Sequence, residues 1–154
     1  MTALVGVIAD THGLVRASAL EALEASTHVI HAGDIGSPDV LDAFSRIGPV
    51  TAVRGNGDAG PWAESLPRMA FLEVEDVRIL VVHNLAELEL DLASEHIDAV
   101  VSGHFHNPSI ESTDAVVYLN PGSAGPRRDS YPVTVARLRV EGHAIEPEIV
   151  HLGR

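Results

Sequence analysis

Cysteine is absent from the 154-residue chain, and basic residues are scarce. Without cysteine there is no disulfide framework and no thiolate metal site, so a metal bound to this chain would need oxygen and nitrogen ligands. Ten Lys and Arg residues stand against 22 Asp and Glu residues, which gives a formal net charge of −12. A surface of this sign argues against nucleic acid as a general partner and against binding to an anionic membrane.

Long apolar runs, repeats of fixed period and low-complexity tracts are also missing from the sequence. No run approaches the length of a transmembrane helix, so we expect no membrane association. Residues 3–9 are apolar but too few for a signal peptide, and no Lys or Arg precedes them, so we expect a cytoplasmic protein. The length and the 45% hydrophobic fraction predict a single domain, residues 1–154, with a sizeable core.

The first half of the chain alternates strand-like and helix-like segments. Apolar runs at residues 3–9, 28–31 and 50–53 predict three buried strands. Between them, residues 14–24 and 37–47 predict two helices, the second opening on a Ser-Pro pair. This β-α-β-α-β order is typical of parallel strands joined by crossover helices.

The second half has a different character. Residues 69–75 and 77–82 predict a hairpin, residues 86–96 predict a helix, and residues 98–101 predict another buried strand. Further strand segments lie near Ile110 and at residues 116–119, 133–140 and 145–151. The later ones alternate polar and apolar residues, and the set predicts antiparallel strands with one wet face. Together these elements predict an α/β fold with two packed sheets and helices outside them.

Side chains that can bind metal follow the predicted strands at the points where the strands end. Sites in open α/β sheets form outside the carboxyl ends of the strands, so we expect these side chains to lie close together. Seven oxygen and imidazole ligands are too many for one ion, but they suit two ions ~3.5–4 Å apart that share a carboxylate. The seven residues are Asp10, His12, Asp34, Asn56, His83, His104 and His106.

Five short motifs resemble those of the calcineurin-like metallophosphoesterase superfamily, in the family's order. They are Asp10-x-His12, Gly33-Asp34, Gly55-Asn56-x-Asp58, His83 and Gly103-His104-x-His106. The short chain and the stretch Asn120-Pro121-Gly122-Ser123 resemble the small single-domain bacterial and archaeal phosphodiesterase branch. The resemblance implies a four-layer α-β-β-α sandwich, in which two mixed β-sheets are flanked by helices.

The resemblance also implies a metal centre with two divalent transition-metal ions. We expect Mn first, with Fe, Ni, Co and Zn as the alternatives. The implied ligands are Asp10, His12 and His106 for one ion and Asn56, His83 and His104 for the other, with Asp34 bridging the two.

The expected reaction is hydrolysis of a small phosphoester, with a diester as the first expectation, by a hydroxide held between the two ions. Asp34 and Asn56 are candidate catalytic residues through the metal centre, and Asn56 would also stabilise developing negative charge. Asp58 is a third candidate, as a residue that orients a ligating histidine, or it is only a turn residue. The sequence leaves open a phosphomonoesterase, a nuclease of the same fold or a catalytically weak protein-interaction scaffold, and either a monomer or a homo-oligomer.

The chain departs from the family pattern at two positions. Gly57 stands where many members carry a histidine that can protonate the leaving group, and where the small branch often has cysteine. Asn84 follows His83, where glycine is usual, and would alter the rim of the pocket. The absence of a side chain at position 57 puts the acid step of catalysis in doubt.

Several residues outside the motifs have two interpretations. The arginines are candidates for phosphate contacts or for solvated surface. His31 is a candidate for a hydrogen bond that orients a metal ligand. The aromatic residues are candidates for a substrate pocket or for the core. These residues are Arg54, Arg127, Arg128, His31, Trp62 and Phe105.

Overall fold

Two five-stranded β-sheets form the framework of the chain in the computed structural model, which describes residues 2–127 and 131–153. Arg128, one of the candidate phosphate contacts, lies outside these residues. The strands in chain order are β1 (Thr2–Ile8), β2 (His28–His31), β3 (Val50–Ala52), β4 (Met69–Val74), β5 (Val77–Val82), β6 (Ala99–Val101), β7 (Ser109–Thr113), β8 (Val116–Asn120), β9 (Thr134–Glu141) and β10 (Ala144–His151).

Both sheets are mixed, which confirms the expected fold class. The first sheet has the order β10-β9-β1-β2-β3, with β1, β2 and β3 parallel and β9 and β10 antiparallel to their neighbours. The second has the order β4-β5-β6-β8-β7, with β5, β6 and β8 parallel. The expectation of antiparallel strands is therefore wrong for β8 against β6, although β7 pairs with β8 in that sense. In each sheet, the carboxyl ends of three parallel strands therefore lie at the same edge, where the loops that follow them can carry ligands.

The main core lies between the two sheets. Val5 and Val7 of β1, Ile79 of β5 and Leu138 of β9 are fully buried in one cluster there. Ile8 points away from this cluster and packs on the helix side of the first sheet. Because β1 is covered on both faces, its sequence is a continuous apolar run rather than an alternating one.

Two helices cover the outer face of the first sheet: α1 (Ala17–Leu23) and α2 (Pro38–Ser45). Leu23 and Phe44 are buried against the sheet in the second core cluster. Helix α2 begins where Pro38 fixes a helical φ and lacks an N–H that would need a partner. A third, single-turn helix, α3 (Pro61–Glu64), was not predicted. None of the helices in the described part of the chain is long and apolar enough to cross a membrane.

The predicted helix at residues 86–96 is wrong. A 3₁₀ turn, Leu85–Glu87, is capped by the Asn84 side chain, and the segment then continues without helix. Leucines at positions 88, 90 and 92 pack on the outer face of the second sheet at a spacing of two, which does not fit a helical period. Asp91 ends the extended run, because its carboxylate accepts backbone hydrogen bonds from Ala93 and Ser94.

His31, the last residue of β2, joins two loops at the carboxyl edge of the first sheet. Its Nδ1 accepts a hydrogen bond of 3.1 Å from Gly33 N–H, so we assign the proton of the neutral ring to Nε2. Nε2 lies 2.9 Å from Thr11 Oγ1, and the Thr11 hydroxyl donates to the Ile35 carbonyl at 2.8 Å. Burial lowers the pKa of His31 to about 3. His31 therefore connects the two loops as a neutral ring. Its hydrogen-bond partners are Thr11 and Gly33, not the side chain of a predicted metal ligand.

Replacing Ile79 with alanine should test the core between the sheets. Ile79→Ala removes a fully buried side chain and should lower the free energy of unfolding by about 2–5 kcal/mol, measured by urea denaturation. Ile110→Ala is the matched control, because Ile110 on β7 is 41% exposed, and it should change that free energy by at most about 0.5 kcal/mol. Equal losses in the two variants would contradict this placement of the core.

His31 should make the metal-free protein sensitive to acid. Between pH 6.5 and about 3 the unfolded chain binds a proton at His31 that the folded chain does not, so stability falls with decreasing pH. His31→Asn should reduce that slope of unfolding free energy, measured from pH 8 to 5 in the presence of a chelator, by up to ~1.4 kcal/mol per pH unit. Thr11→Val keeps the imidazole, so it should lose stability at pH 8 yet keep the slope. An unchanged slope in His31→Asn would refute the assignment.

Candidate metal centre

The predicted metal-site residues meet at the carboxyl ends of the parallel strands of both sheets. Two overlapping groups of side chains form there, and within each group one ligand atom per residue lies within 4.8 Å of the others. The first group is Asp10, His12 and His106, the three residues implied for one ion. The second is Asp10, Asp34 and His83, so Asp10 belongs to both groups.

Asp10 connects the first sheet to the second. Its Oδ1 lies 3.6 Å from His106 Nε2 and 4.0 Å from His83 Nε2, and the residue is fully buried. Its Oδ2 accepts a hydrogen bond of 3.1 Å from the backbone N–H of His104. All three partners follow strands of the second sheet, so this carboxylate is positioned by the packing of one sheet on the other.

Asp34 lies between two histidines of the site. Its Oδ2 is 3.3 Å from His83 Nε2 and 3.9 Å from His12 Nε2, while Oδ1 accepts a hydrogen bond of 2.8 Å from Gly57 N–H. Burial by itself would raise the pKa of Asp34. The contacts with His83 and Gly57 outweigh burial and hold the pKa at about 2, so the carboxylate is ionised at neutral pH.

His83 offers a buried nitrogen that suits a cation. Its Nδ1 donates to the Ala32 carbonyl at 2.7 Å, which leaves Nε2 facing Asp34 and Asp10. Nε2 is buried and forms no hydrogen bond with the described residues. Burial would lower the pKa of His83, but the Asp34 carboxylate and the Ala32 carbonyl raise it. The site therefore favours positive charge at Nε2, and a divalent transition metal bound there would replace the proton.

His104 and Asn56, the other ligands implied for the second ion, lie next to His83. The His104 ring meets the His83 ring edge-to-face with centroids 5.3 Å apart, but His104 is in neither compact group. Asn56 is exposed and lines the same cavity as His83. The second group is thus built on Asp10 and Asp34 together with His83.

The backbone of the site adopts an uncommon conformation. Positive φ angles are rare for residues other than glycine, and each costs free energy that the surrounding structure must offset. Backbone hydrogen bonds from Asp10 to the Gly33 carbonyl and from His12 to the Asp34 carbonyl, both 3.0 Å, hold the first two loops together. The ligand candidates with positive φ are Asp10, His12, Asp34, His104 and His106.

Two glycines allow the loops to approach one another closely. A Cβ on Gly55 would lie 2.2 Å from Asp34 Oδ1, and a Cβ on Gly33 would lie 2.6 Å from His83 Nδ1. Distances this short would displace the Asp34 carboxylate or the His83 ring. Glycine is therefore required beside each of these ligand candidates, which gives a physical reason for the Gly-Asp and Gly-Asn motifs.

Asp58 holds two loops together. Its carboxylate accepts backbone hydrogen bonds from Ile35 at 3.1 Å, Gly36 at 2.9 Å and Gly55 at 3.0 Å. These bonds tie the loop after β3 to the loop after β2. The predicted catalytic role, through orientation of a ligating histidine, is corrected: Asp58 is a positioning residue whose partners are backbone groups.

Two further residues support the site but were not predicted as functional from the sequence. Their stretch, residues 120–123, contributed there only to the family resemblance. The Asn120 side chain donates to the Gly103 carbonyl at 3.1 Å, and the Ser123 hydroxyl donates to the Asp10 carbonyl at 3.1 Å. Both follow from the position of β8, which runs parallel to β6 and ends beside it. The signal for this placement was the continuous apolar run Val-Val-Tyr-Leu of β8, which is typical of a buried parallel strand.

The structure distinguishes between the two interpretations of the remaining candidates. Phe105 is 56% exposed, with its ring edge-to-face on His104 at 4.7 Å, so it is not a core residue. Trp62 is partly buried and packs with the helix-side core. Arg127 is exposed, whereas Arg54 is half-buried and lines the cavity next to His83.

Comparison with solved structures supports the fold. A structure titled as a novel archaeal phosphodiesterase matches with a TM-score of 0.78 over 96% of this chain and 99% of that chain, at 24% identity. Wild-type Vps29 complexed with Zn²⁺ from Entamoeba histolytica matches with a TM-score of 0.74 over 97% of this chain and 99% of that chain, at 19% identity. At these identities the likeness concerns the fold alone.

Comparison with protein families and curated sequences goes further. The model of the calcineurin-like phosphoesterase superfamily domain matches residues 3–143. A probable metallophosphoesterase of Methanothermobacter thermautotrophicus is 35% identical over an alignment of 165 positions, which covers 97% of this chain and 93% of that protein. By both the extent of the family match and the identity to this relative, the chain belongs to the calcineurin-like phosphoesterase superfamily.

Proposed function

We propose that the protein is a metal-dependent phosphodiesterase. The observation that carries the proposal is the pair of overlapping groups, in which two buried carboxylates lie among three histidines. The family match supports a metallophosphoesterase, and the resemblance of the motifs to the small single-domain phosphodiesterase branch supports a diester as substrate. The full set of candidate ligands favours an enzyme over a catalytically weak scaffold. A phosphomonoesterase is the nearest alternative.

Two divalent cations fit the donor set. We propose that His12 and His106 hold one ion with Asp10, and that His83 holds the other with Asp34, joined by Asn56 and His104 at the edge of the site. When bound, such ions act as Lewis acids that neutralise phosphate oxygens and lower the pKa of water. The oxygen and imidazole donors suit Mn, our first expectation, and also Fe, Co, Ni and Zn.

The residues of the chain supply charge and orientation. The lowered pKa of Asp34, about 2, keeps its carboxylate ionised at neutral pH. Gly57 N–H fixes Oδ1, so that Oδ2 faces His12 and His83. The Ala32 carbonyl fixes the tautomer of His83 and so presents Nε2 to the site. These contacts prepare the ligand atoms before any cation binds.

The loop after β3 provides no side chain that can protonate the leaving group. Gly57 has no side chain, and the oxygens of the Asp58 carboxylate already accept hydrogen bonds from three backbone N–H groups. The leaving oxygen must therefore depart with more negative charge than in family members that carry a histidine at this position. The chemistry of the leaving group becomes the main determinant of rate.

Asp34→Asn should remove more metal than His104→Ala. The Asp34 carboxylate faces two histidines and carries charge that an amide lacks, whereas His104 lies at the edge of the site. We expect lower metal content per chain by mass spectrometry and a fall in diester hydrolysis of more than about 100-fold. Asp39→Asn makes the same change at an exposed position on α2 and should alter neither quantity. Full metal content with a near-normal rate in Asp34→Asn would refute the bridging role that the family resemblance implies for Asp34.

Aryl phosphodiesters should be cleaved much faster than alkyl phosphodiesters, because a positioned acid that contributes ~10²–10⁴-fold is missing from position 57. Gly57→His should reduce the difference between the aryl and alkyl hydrolysis rates, measured over a series of leaving groups of increasing pKa. A Cβ at position 57 would lie 3.2 Å from Asp34 Oδ1, so the carboxylate must shift by a few tenths of an ångström.

Gly57→Ala is the control for this experiment, since it adds the same Cβ without an imidazole. The gap between aryl and alkyl rates should be smaller in Gly57→His than in Gly57→Ala. If the wild-type rate hardly depends on leaving-group pKa while the chemical step limits turnover, another acid is present and the proposal is wrong.

A further inference from the structure

A cavity of about 470 Å³ opens directly beside the candidate metal centre. Asn56 and His83 belong to its lining and connect it to the centre. Arg54 and Arg68 line it as well, and Glu87 is the one carboxylate among its lining residues. Two guanidinium groups therefore share a cavity with two predicted metal-site residues.

These two arginines differ from four others in the described part of the chain. All ten basic residues are arginines, in a protein of formal net charge −12. Within residues 2–127 and 131–153, the guanidinium groups of Arg54 and Arg68 form no hydrogen bond or ion pair, and Arg54 Nε is buried without a partner. Four other arginines do bind carboxylates or backbone carbonyls: Arg16, Arg78, Arg137 and Arg139.

Two guanidinium groups that lack hydrogen-bond and ion-pair partners favour the binding of an anionic ligand. A buried N–H without a hydrogen bond is costly, and a guanidinium fits the paired oxygens of a phosphate better than any neutral group. Glu87 repels an anion, so a ligand in this cavity must be held on the arginine side. A small anion suits the site better than a polyanion does, because the rest of the protein carries a large excess of negative charge.

We propose that Arg54 and Arg68 form a subsite for a second phosphate group of the substrate, whose scissile phosphoester lies at the metal centre. The proposal rests on the phosphoesterase function and narrows it to small phosphoesters that carry another phosphate. Arg68 is exposed and precedes the first residue of β4, whereas Arg54 is half-buried in the loop after β3, and both line the cavity. Arg68 would capture the second phosphate, and Arg54 Nε would gain the partner that it lacks.

The test compares ligands that differ only in the second phosphate. Calorimetry would measure the affinity of Mn²⁺-loaded protein for propyl phosphate and for the bisphosphates of propane-1,3-diol, butane-1,4-diol and pentane-1,5-diol, a series that varies the distance between the two groups. We expect the best bisphosphate to bind about tenfold or more tightly than propyl phosphate, as a charge-assisted contact predicts.

Three variants separate the subsite from general charge effects. Arg68→Gln should reduce the preference for the bisphosphate about tenfold, and Glu87→Gln should increase it, because a repelling carboxylate is removed. Arg46→Gln is the matched control: Arg46 is exposed after α2, at the opposite end of the sheet, and its loss changes the net charge equally. Arg46→Gln should leave the preference unchanged.

The outcomes distinguish this inference from the proposed function. Measurable binding of propyl phosphate with no preference for any bisphosphate, or a preference that Arg68→Gln does not reduce, would overturn the subsite alone. An equal loss of the bisphosphate preference in Arg46→Gln would indicate a general charge effect, and it would also overturn the subsite. Failure of every ligand to bind the Mn²⁺-loaded protein would overturn the subsite, and the phosphoesterase proposal would fall with it only if that protein also failed to hydrolyse a diester.

Discussion

Two buried carboxylates, Asp10 and Asp34, impose the constraint on which the rest of the structure depends. A carboxylate that leaves water must be compensated by hydrogen bonds or by positive charge, and an uncompensated pair would destabilise the fold. The backbone N–H groups of His104 and Gly57 each supply one compensating hydrogen bond. The histidines that surround the pair can accept either a proton or a metal ion. The metal centre is thus the part of the molecule in which folding and cation binding are most directly coupled.

The contacts that hold these carboxylates come from far apart in the chain. His104 lies 94 residues from Asp10, and Ser123 lies 113 residues from it, yet both hydrogen-bond to Asp10. These bonds can form only if the two sheets pack in one relative position. The apolar core between the sheets, with Val7 and Ile79 at its centre, therefore sets the geometry of a polar site at its edge. In this fold, packing and chemistry are specified by the same inter-sheet arrangement.

The sequence predicts those features that depend on local pattern. The β-α-β-α-β half follows from apolar runs and from the Gly and Pro residues that interrupt them, and the candidate ligands follow from their positions at strand ends. The functions of Asp58 and Asn120 could not be predicted, because their partners, Ile35 and Gly103, are close in space and distant in sequence. The helix predicted at residues 86–96 failed for another reason. The prediction rested on the spacing of the Leu and Ala residues, but the leucines at positions 88, 90 and 92 recur at every second residue, which is not a helical period.

The irregular segment over the second sheet has a consequence for how the protein can diversify. Residues 85–97 keep their place through separate leucine contacts, so their backbone is not bound to a helical repeat. The same stretch begins next to Asn84 and carries Glu87, both on the rim of the cavity beside His83. A loop of this kind tolerates insertions and new side chains better than a packed helix does. Substrate preference can therefore evolve along this rim while the loops that carry the metal-site residues stay unchanged.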